Sequence, residues 1–359
     1  MTSTRITARP AYEFLLTLVA FLTPARIDSY EVGPDWFAAV EEKLDDDTRQ
    51  GLGRLFSGCE HMVIRLLDTA RRLEPPGSAA ALIEAIEALD PPEVRLTLLG
   101  YYAKRSRQRV SPATIRAAAE GDRAAGLTLV QDNSDGPECE QALAGVLRLG
   151  DDEVAELLVR LLRNWNELVF EDHLAQAMPI IEREAERLRG RSRELSQEAF
   201  LAEATNGADV LPAPGVNEIE LFPIWVLRPW DVFWEHDPTL LIGVGIAARQ
   251  PSDDPDAPPD RLVRLARALG DERRLRILRR LVAGSYSLQE LSEQLATPKT
   301  TLLHHLVILR SAGIVHVGPN AHGRYSLRPG TARELHRLLD DYLPVVDQVG
   351  EEQPLLMRQ

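Results

Sequence analysis

The chain of 359 residues contains only two cysteines, Cys59 and Cys139. They lie far apart in the sequence, and neither belongs to a Cys-x-x-Cys pair. A disulfide framework or a cysteine-based zinc site needs more cysteines or a closer spacing. The cysteine usage therefore argues against both, and it favours a reducing compartment.

The sequence also lacks a hydrophobic run long enough to cross a bilayer. The longest early apolar stretch, Phe14 to Leu22, is interrupted by Thr17, and no small-x-small cleavage site follows it. We predict that this stretch is the first core helix. Phosphate-binding loops, Gly-x-Ser-x-Gly elbows and His-Glu-x-x-His motifs are missing as well, so no catalytic residue is predicted.

Negative charge predominates, with a formal net charge of −14 at pH 7, but it is unevenly distributed. Residues 1–259 carry 26 Lys/Arg and 44 Asp/Glu, whereas residues 260–345 carry 14 Lys/Arg and 8 Asp/Glu. A basic module joined to an acidic body is typical of a protein that touches nucleic-acid phosphate with one end only.

A run from Gln250 to Asp260 holds four prolines and four aspartates in eleven residues. Such a composition forms neither a helix nor a central strand, so this run is predicted to be a linker. It separates an N-terminal domain, residues 1–249, from a C-terminal domain, residues 261–345. A short tail, residues 346–359, follows.

The N-terminal domain is predicted to be helical over residues 10–205. Its apolar residues recur at three- and four-residue spacing, as in Leu82, Ile83 and Ile86. Between about residues 216 and 248 the composition changes to β-branched and aromatic residues, which predicts a small sheet or hairpin. The expected fold class is therefore mainly α, with a small β element.

The C-terminal domain contains a helix-turn-helix pattern. Ser287 and Glu290 form a capping box that opens a short helix. After a tight turn, Thr297 is predicted to cap a second helix and Pro298 to occupy its first turn; this helix ends at Gly313. Two helices joined in this way place the start of the second helix in the DNA major groove.

The helix before this motif is rich in both leucine and arginine. Leu275, Leu278 and Leu281 are predicted to point inward, while five arginines occupy the other faces. Three of these arginines are predicted to add affinity for phosphate: Arg273, Arg274 and Arg280.

Residues after the motif predict a β-hairpin and a final helix. Two short strands, Ile314 to Val317 and Arg324 to Leu327, are expected to flank a tip suited to lie along a phosphate backbone. Thr331 and Glu334 are predicted to form a second capping box, which begins a terminal helix that reaches Leu343.

The predicted DNA-contacting residues lie on the second helix of the motif and on the hairpin. Leu302, Leu306 and Leu309 are assigned to the opposite, core-facing side of that helix. His305 is equally compatible with a half-buried structural role, and Leu303 could contact a thymine methyl group or pack on the hairpin. The full set comprises Lys299, Thr300, Thr301, Leu303, His304, His305, Arg310, His322 and Arg324.

The stretch from Leu265 to Val315 resembles the winged-helix domain of ArsR-type repressors. The resemblance is carried by Leu-Gly-Asp-x-x-Arg-Leu-Arg-Ile-Leu, by His-His-Leu-x-x-Leu and by Ala-Gly-Ile-Val, and it extends over roughly residues 261–330. It implies a homodimer that binds an inverted repeat of double-stranded DNA, with the terminal helix Thr331 to Leu343 in the dimer interface. The N-terminal region is also similar to those of long actinobacterial regulators with the same C-terminal module.

This chain departs from the metal-sensing members of that family. Where those members place cysteines, on the helix before the recognition helix, it has Gln289, Glu290, Ser292, Glu293 and Gln294. On the terminal helix only His336, Asp340 and Asp341 are present where other members have carboxylate and His ligands. No metal or other cofactor is therefore predicted.

Three further clusters contain residue types that also occur in functional sites. Helix packing accounts better for Cys59-Glu60-His61 than a metal or nucleophile site does. A charged outer face accounts better for the group Glu167, Glu171, Asp172 and His173 than a metal site does. The main interpretation of Trp225, Trp230 and Trp234 is that they fill the core. The second interpretation is that they form the wall of a ligand pocket.

The sequence thus predicts a cytoplasmic, dimeric DNA-binding regulator that is not an enzyme and does not bind membranes. Its N-terminal domain would dimerise, sense a small-molecule effector or bind a partner protein. Two alternatives are an enzyme with an accessory winged helix and a winged helix that serves only as a protein-interaction module.

Overall fold

A computed structural model describes residues 2–24, 27, 30–134, 136–205, 210, 215–236, 238–246, 258–317, 324–328 and 330–343. The chain divides into two compact units: the first contains the described residues up to 246, and the second contains most of the described residues from 258 onward. Most of the predicted linker, Gln250 to Asp260, and the predicted tail, residues 346–359, lie outside the described residues. Asp260, the last residue assigned to the linker, already begins a helix.

The first unit is mainly helical. A five-residue π-helical segment, Asn166–Phe170, joins two of its helices. The helices are α1 (Pro10–Phe21), α2 (Pro34–Lys43), α3 (Asp46–Phe56), α4 (Glu60–Ile64), α5 (Leu67–Arg71), α6 (Ala79–Glu87), α7 (Pro91–Leu99), α8 (Lys104–Arg109), α9 (Pro112–Ala119), α10 (Arg123–Asp132), α11 (Pro137–Arg148), α12 (Asp151–Trp165), α13 (Glu171–Glu194) and α14 (Gln197–Ala204).

Helix α1 is the central helix of this unit, as predicted for Phe14 to Leu22. Pro10 occupies its first turn, where a missing N–H costs nothing. Every residue from Ala11 to Ala20 is buried, including Glu13 and Thr17, which is expected for a mostly apolar helix in the core. The indole N–H of Trp165 donates to the Thr17 hydroxyl at 3.0 Å, so the one polar side chain that interrupts the apolar run is satisfied.

A four-stranded sheet completes the first unit. Its strands are β1 (Ser3–Ile6), β2 (Glu218–Ile224), β3 (Val232–His236) and β4 (Thr239–Gly245), in the order β1-β2-β4-β3. Strand β2 runs parallel to β1 and β4, and β3 runs antiparallel to β4. The predicted β element near residues 216–248 is confirmed, and β1 adds a strand from the other end of the unit.

Glu220 is a fully buried carboxylate in the middle of β2. It accepts hydrogen bonds from the Thr7 hydroxyl at 2.8 Å and the Tyr12 hydroxyl at 2.9 Å, and Arg5 forms an ion pair with it at 2.5 Å. A buried charge is tolerated only with such partners. These contacts fasten β1 and α1 to the centre of the sheet, because all three partners lie within the first twelve residues.

The two cysteines form a disulfide, contrary to the expectation from their spacing. Cys59 precedes α4 and Cys139 lies in the first turn of α11, with their Cα atoms 4.7 Å apart. The sequence separation of 80 residues conceals this proximity, which the packing of the helices produces. Cysteine usage therefore no longer supports a reducing compartment.

The second unit contains five helices and two short strands among its described residues. They are α15 (Asp260–Leu269), α16 (Glu272–Leu281), α17 (Leu288–Leu295), α18 (Lys299–Ser311), β5 (Val315–Val317), β6 (Tyr325–Leu327) and α19 (Thr331–Tyr342). The fold class, mainly α with a small sheet in the first unit, is as predicted. Within the described parts of the chain, we find no helix with the length and apolar character that a membrane span requires.

Candidate nucleic-acid interface

Helices α15 and α16 build the support for the helix-turn-helix. Asp271 caps α16 by accepting the Arg274 N–H at 3.1 Å. The buried face of α16 consists of Ile277 and Leu281, whereas Leu275 is 48% exposed. The prediction that Leu275 points inward is therefore wrong: the core-facing side of α16 lies two residues further along the helix.

Helix α17 begins with the predicted capping box. The Ser287 hydroxyl accepts the Glu290 N–H at 3.2 Å, and the Glu290 carboxylate accepts the Ser287 N–H at 2.7 Å. Ala296 ends the helix in the left-handed conformation, with φ 47° and ψ 42°. This sharp reversal allows α18 to start only three residues later.

The turn differs from the prediction in two details. Pro298 precedes the first turn of α18 and is its N-cap residue, with no side-chain cap. The Thr297 hydroxyl donates instead to the Leu295 carbonyl at 3.0 Å, and the Ser292 hydroxyl donates to the Thr297 carbonyl at 2.7 Å. These two bonds hold the turn closed, and the first N–H groups of α18 remain uncapped by the described side chains.

One face of α18 packs into the unit, as predicted. Leu302, Leu306 and Leu309 are all at most 1% exposed, at the spacing that puts them on one side of a helix. Lys299, Leu303 and His304 lie on the exposed side, and Thr301 is half-buried. The side chain of Thr300 is outside the described part of the structure. Arg310, near the end of the helix, is half-buried.

His305 differs from its neighbour His304 because it is only 7% exposed. Burial lowers the pKa of its imidazole, and the nearby charges of Arg274 and Arg273 lower it further, against the opposing effect of Asp271. The ring is therefore neutral at pH 7 and belongs to the interior. Of the two roles left open for His305, the structural one fits this burial.

The exposed start of α18 is suited to bind an anion. No acidic residue occurs between Lys299 and Ser311. The uncapped N–H groups and the positive end of the helix dipole lie at the same place as Lys299. Such a helix start attracts phosphate without any further group.

The arginines of α16 divide into two groups. Arg274 donates to the carbonyls of Ala268 at 2.7 Å and Arg267 at 2.9 Å, so it links α16 to α15. Arg273 and Arg280 are exposed. The prediction that all three add phosphate affinity therefore needs correction for Arg274, whose donors are engaged within the unit.

Strands β5 and β6 form a two-stranded sheet directly after α18. Tyr286, just before α17, pairs with Tyr325 through backbone hydrogen bonds of 3.0 and 2.7 Å, so the sheet is tied to the helix-turn-helix. Arg324, which directly precedes β6, is half-buried. The predicted tip residue His322 lies outside the described residues.

Helix α19 begins without the predicted capping box. Gly330 is its N-cap residue, and the Thr331 hydroxyl donates back to the Arg328 carbonyl at 3.1 Å. Glu334 accepts from Arg261 at 2.8 and 3.0 Å and pairs with Arg328 at 3.2 Å. The capping-box prediction is wrong because this carboxylate joins α19 to α15 instead.

The side chains of the acidic group near α13 are engaged with other parts of the first unit. His173 is buried: its Nδ1 accepts from the Trp36 indole at 3.2 Å, and its Nε2 lies 2.8 Å from the Glu13 carboxylate. Asp172 pairs with Lys43 on the surface. The charged outer face is as expected, but His173 is not part of it. Among the described residues, no group of three or more His, Cys, Asp or Glu side chains is placed to hold a metal ion.

Comparison with known proteins identifies the same segment of the chain. A family model described as a helix-turn-helix domain matches residues 269–318, which include α16, α17, α18 and β5. No curated protein and no solved structure matches the chain. The C-terminal part of the chain therefore carries a helix-turn-helix domain, and this kind of domain points to a DNA-binding regulator.

Proposed function

We propose that the chain is a dimeric transcriptional repressor of the ArsR type, which binds an inverted repeat through α18 and the hairpin that follows it. The observation that carries this proposal is the start of α18. Lys299, Thr301 and His304 lie there beside uncapped backbone N–H groups, on a helix free of acidic residues. Lys299 and the helix start would bind phosphate, while Thr301, Leu303 and His304 would reach base edges.

The second strand of the hairpin would add a backbone contact. Arg324 is the cation directly before β6, and His322 precedes it in the sequence. Arg273 and Arg280 on α16 are exposed cations that would add affinity without sequence preference. Arg310 would contribute from the end of α18. We leave His305 out of the contact set because its ring is buried.

Dimerisation through α19 is supported by its exposed leucines. Leu339 lies on α19 and is 38% exposed, and Leu343, directly after the end of the helix, is 60% exposed. Apolar side chains in that arrangement form a natural contact between two copies. A regulator of this kind would work in the cytoplasm, and the first unit would modulate DNA binding without catalysing a reaction.

The test is DNA binding by the full chain, measured by fluorescence anisotropy with the protein's own upstream region and with scrambled DNA. The double variant Thr301→Ala/His304→Ala should lose at least tenfold in specific affinity, since each base contact contributes about 1–3 kcal/mol of discrimination. Its affinity for scrambled DNA should change little, because phosphate contacts remain.

The matched control is Thr128→Ala/Gln131→Ala, which truncates two exposed side chains on α10. This variant should bind like the unmodified protein. Unchanged specific binding by the α18 variant would contradict the groove assignment. Failure of the unmodified protein to prefer its upstream region, together with failure to enrich any sequence from random DNA, would contradict the proposed function itself.

A further inference from the structure

The first unit contains a cavity of about 360 Å³. Its lining comes from the region of α5, α6 and α7 and from strand β3, at the edge of the sheet. The volume falls within the range of small-molecule sites in proteins, about 300–1,000 Å³. The fold therefore provides room for a compact organic molecule, far along the chain from the helix-turn-helix.

One wall of the cavity is apolar. Successive residues of a strand face opposite sides, so Trp234 and His236 share one face of β3 while Phe233 packs against the sheet core on the other. Leu89, after the end of α6, also lines the cavity and is 36% exposed. Trp234 and Leu89 thus present a flat aromatic surface and an aliphatic group that packing has left partly uncovered.

Other lining residues are charged or polar, and the carboxylates among them are already engaged. Asp68 accepts from Arg71 at 3.1 Å and pairs with Arg72 at 2.6 Å and His236 at 3.2 Å. The Glu93 carboxylate accepts from the Tyr102 hydroxyl. A guanidinium has five N–H donors, and the ion pair with Asp68 occupies only part of this capacity of Arg72. The guanidinium of Arg72 is therefore the main group here that can still donate hydrogen bonds to a bound molecule.

His236 adds no positive charge to the cavity, so arginines are the cations of its lining. Burial lowers the pKa of His236, and the positive charges of Arg71, Arg72 and Arg107 lower it further, while Asp68 acts in the opposite direction. The imidazole is therefore neutral at pH 7 and adds no charge. Arg72 lines the cavity and keeps N–H donors beyond its ion pair with Asp68, so it is a cation placed to hold a bound anion.

We propose that this cavity binds a small carboxylic acid with an aromatic ring, its ring against Trp234 and Leu89 and its carboxylate on Arg72. The guanidinium matches a carboxylate in geometry and charge. The aromatic ring would replace water on a surface that the fold leaves partly exposed. Binding of such an acid does not require that the chain binds DNA, and it is tested without DNA.

The probe is benzoate, with benzamide as its uncharged counterpart, and the readout is saturation-transfer NMR on the full chain with titration to obtain Kd. Benzoate should bind at least tenfold more tightly than benzamide. Arg72→Gln should abolish this preference, and Arg72→Lys should restore part of it. Leu89→Glu, which adds a negative charge beside the apolar wall, should weaken benzoate binding more than benzamide binding.

The control is Arg163→Gln, which removes an exposed arginine from an ion pair with Glu87 on the surface of the same unit. It should bind both probes like the unmodified protein. Equal affinity for benzoate and benzamide, no binding of benzoate at millimolar concentration, or an Arg72→Gln variant with unchanged preference would each overturn the proposal. Melting curves of the variants distinguish a lost site from a lost fold.

Discussion

At the scale of single residues, Lys299 provides a direct measure of phosphate contact. The chain has only three lysines, Lys43, Lys104 and Lys299. Each phosphate that a cation neutralises releases counterions from DNA, so affinity falls with salt in proportion to the number of such contacts. If Lys299 meets a phosphate, Lys299→Gln should reduce the slope of log affinity against log salt by about 1.

Lys43→Gln is the matched control for this variant. Lys43 is a surface lysine of the first unit that pairs with Asp172 at 2.6 Å, and it has no place in the proposed interface. Anisotropy titrations at several salt concentrations should give the unmodified slope for this control. Identical slopes for both variants would remove Lys299 from the proposed contacts.

Single residues also show where sequence reasoning stops. Helical spacing is a local property, and it placed Leu302, Leu306 and Leu309 on the core side of α18 correctly. Leu275 and Ile277 are both apolar residues of α16, and which of them is buried depends on where other helices pack. Periodicity alone therefore predicted the wrong residue, Leu275, to be buried.

At the scale of elements, Glu334 shows how a local motif can mislead. Its spacing from Thr331 matches a capping box, but its carboxylate pairs with Arg261, which lies 73 residues earlier in the chain. Strand β1 has the same difficulty, because its partner β2 begins more than 200 residues later. A short stretch of sequence shows the capping pattern of Thr331 and Glu334. It does not show that Arg261 pairs with Glu334 or that β2 pairs with β1.

The pairing of Glu334 predicts how pH affects the second unit. Hydrogen bonding to Arg261, with the charges of Arg261, Arg328 and Arg337, lowers the pKa of Glu334 against the opposing effect of burial. A lowered pKa contributes stability above the ordinary value of about 4.3, and this stability is lost as pH falls through the lowered value. Glu334→Gln should therefore destabilise the unit at pH 7 by about 1–2 kcal/mol, given partial solvent screening.

Denaturant unfolding at several pH values provides the measurement. The difference between Glu334→Gln and the unmodified protein should be largest near neutrality and should shrink below about pH 4.3. Glu272→Gln is the control, because Glu272 pairs with Arg276 on the exposed face of α16. A pH-independent difference for Glu334→Gln would show that the charge of Glu334 is not the source of the stability.

At the scale of the whole molecule, the chain combines an acidic first unit with a basic second one. The composition and the helix-turn-helix pattern predicted this division of character from sequence, because each is carried by contiguous residues. The bond between Cys59 and Cys139 could not be predicted in that way, and of the cavity only Trp234 was predicted, with a pocket wall as its second interpretation. Both form where segments far apart in the chain meet, and neither leaves a spacing that a sequence motif would detect.

The disulfide should stabilise the first unit substantially. It joins residues 80 apart, and closing a loop of that length lowers the entropy of the unfolded chain by an amount worth about 4–5 kcal/mol. Reduction of the purified protein should therefore lower the melting temperature of the first unit by roughly 10 °C or more. The double variant Cys59→Ser/Cys139→Ser should melt at a similarly low temperature and should not respond to reductant. Intact-mass analysis after thiol labelling reports the state of the bond, and an equal melting temperature with and without it would show that helix packing alone holds α4 against α11.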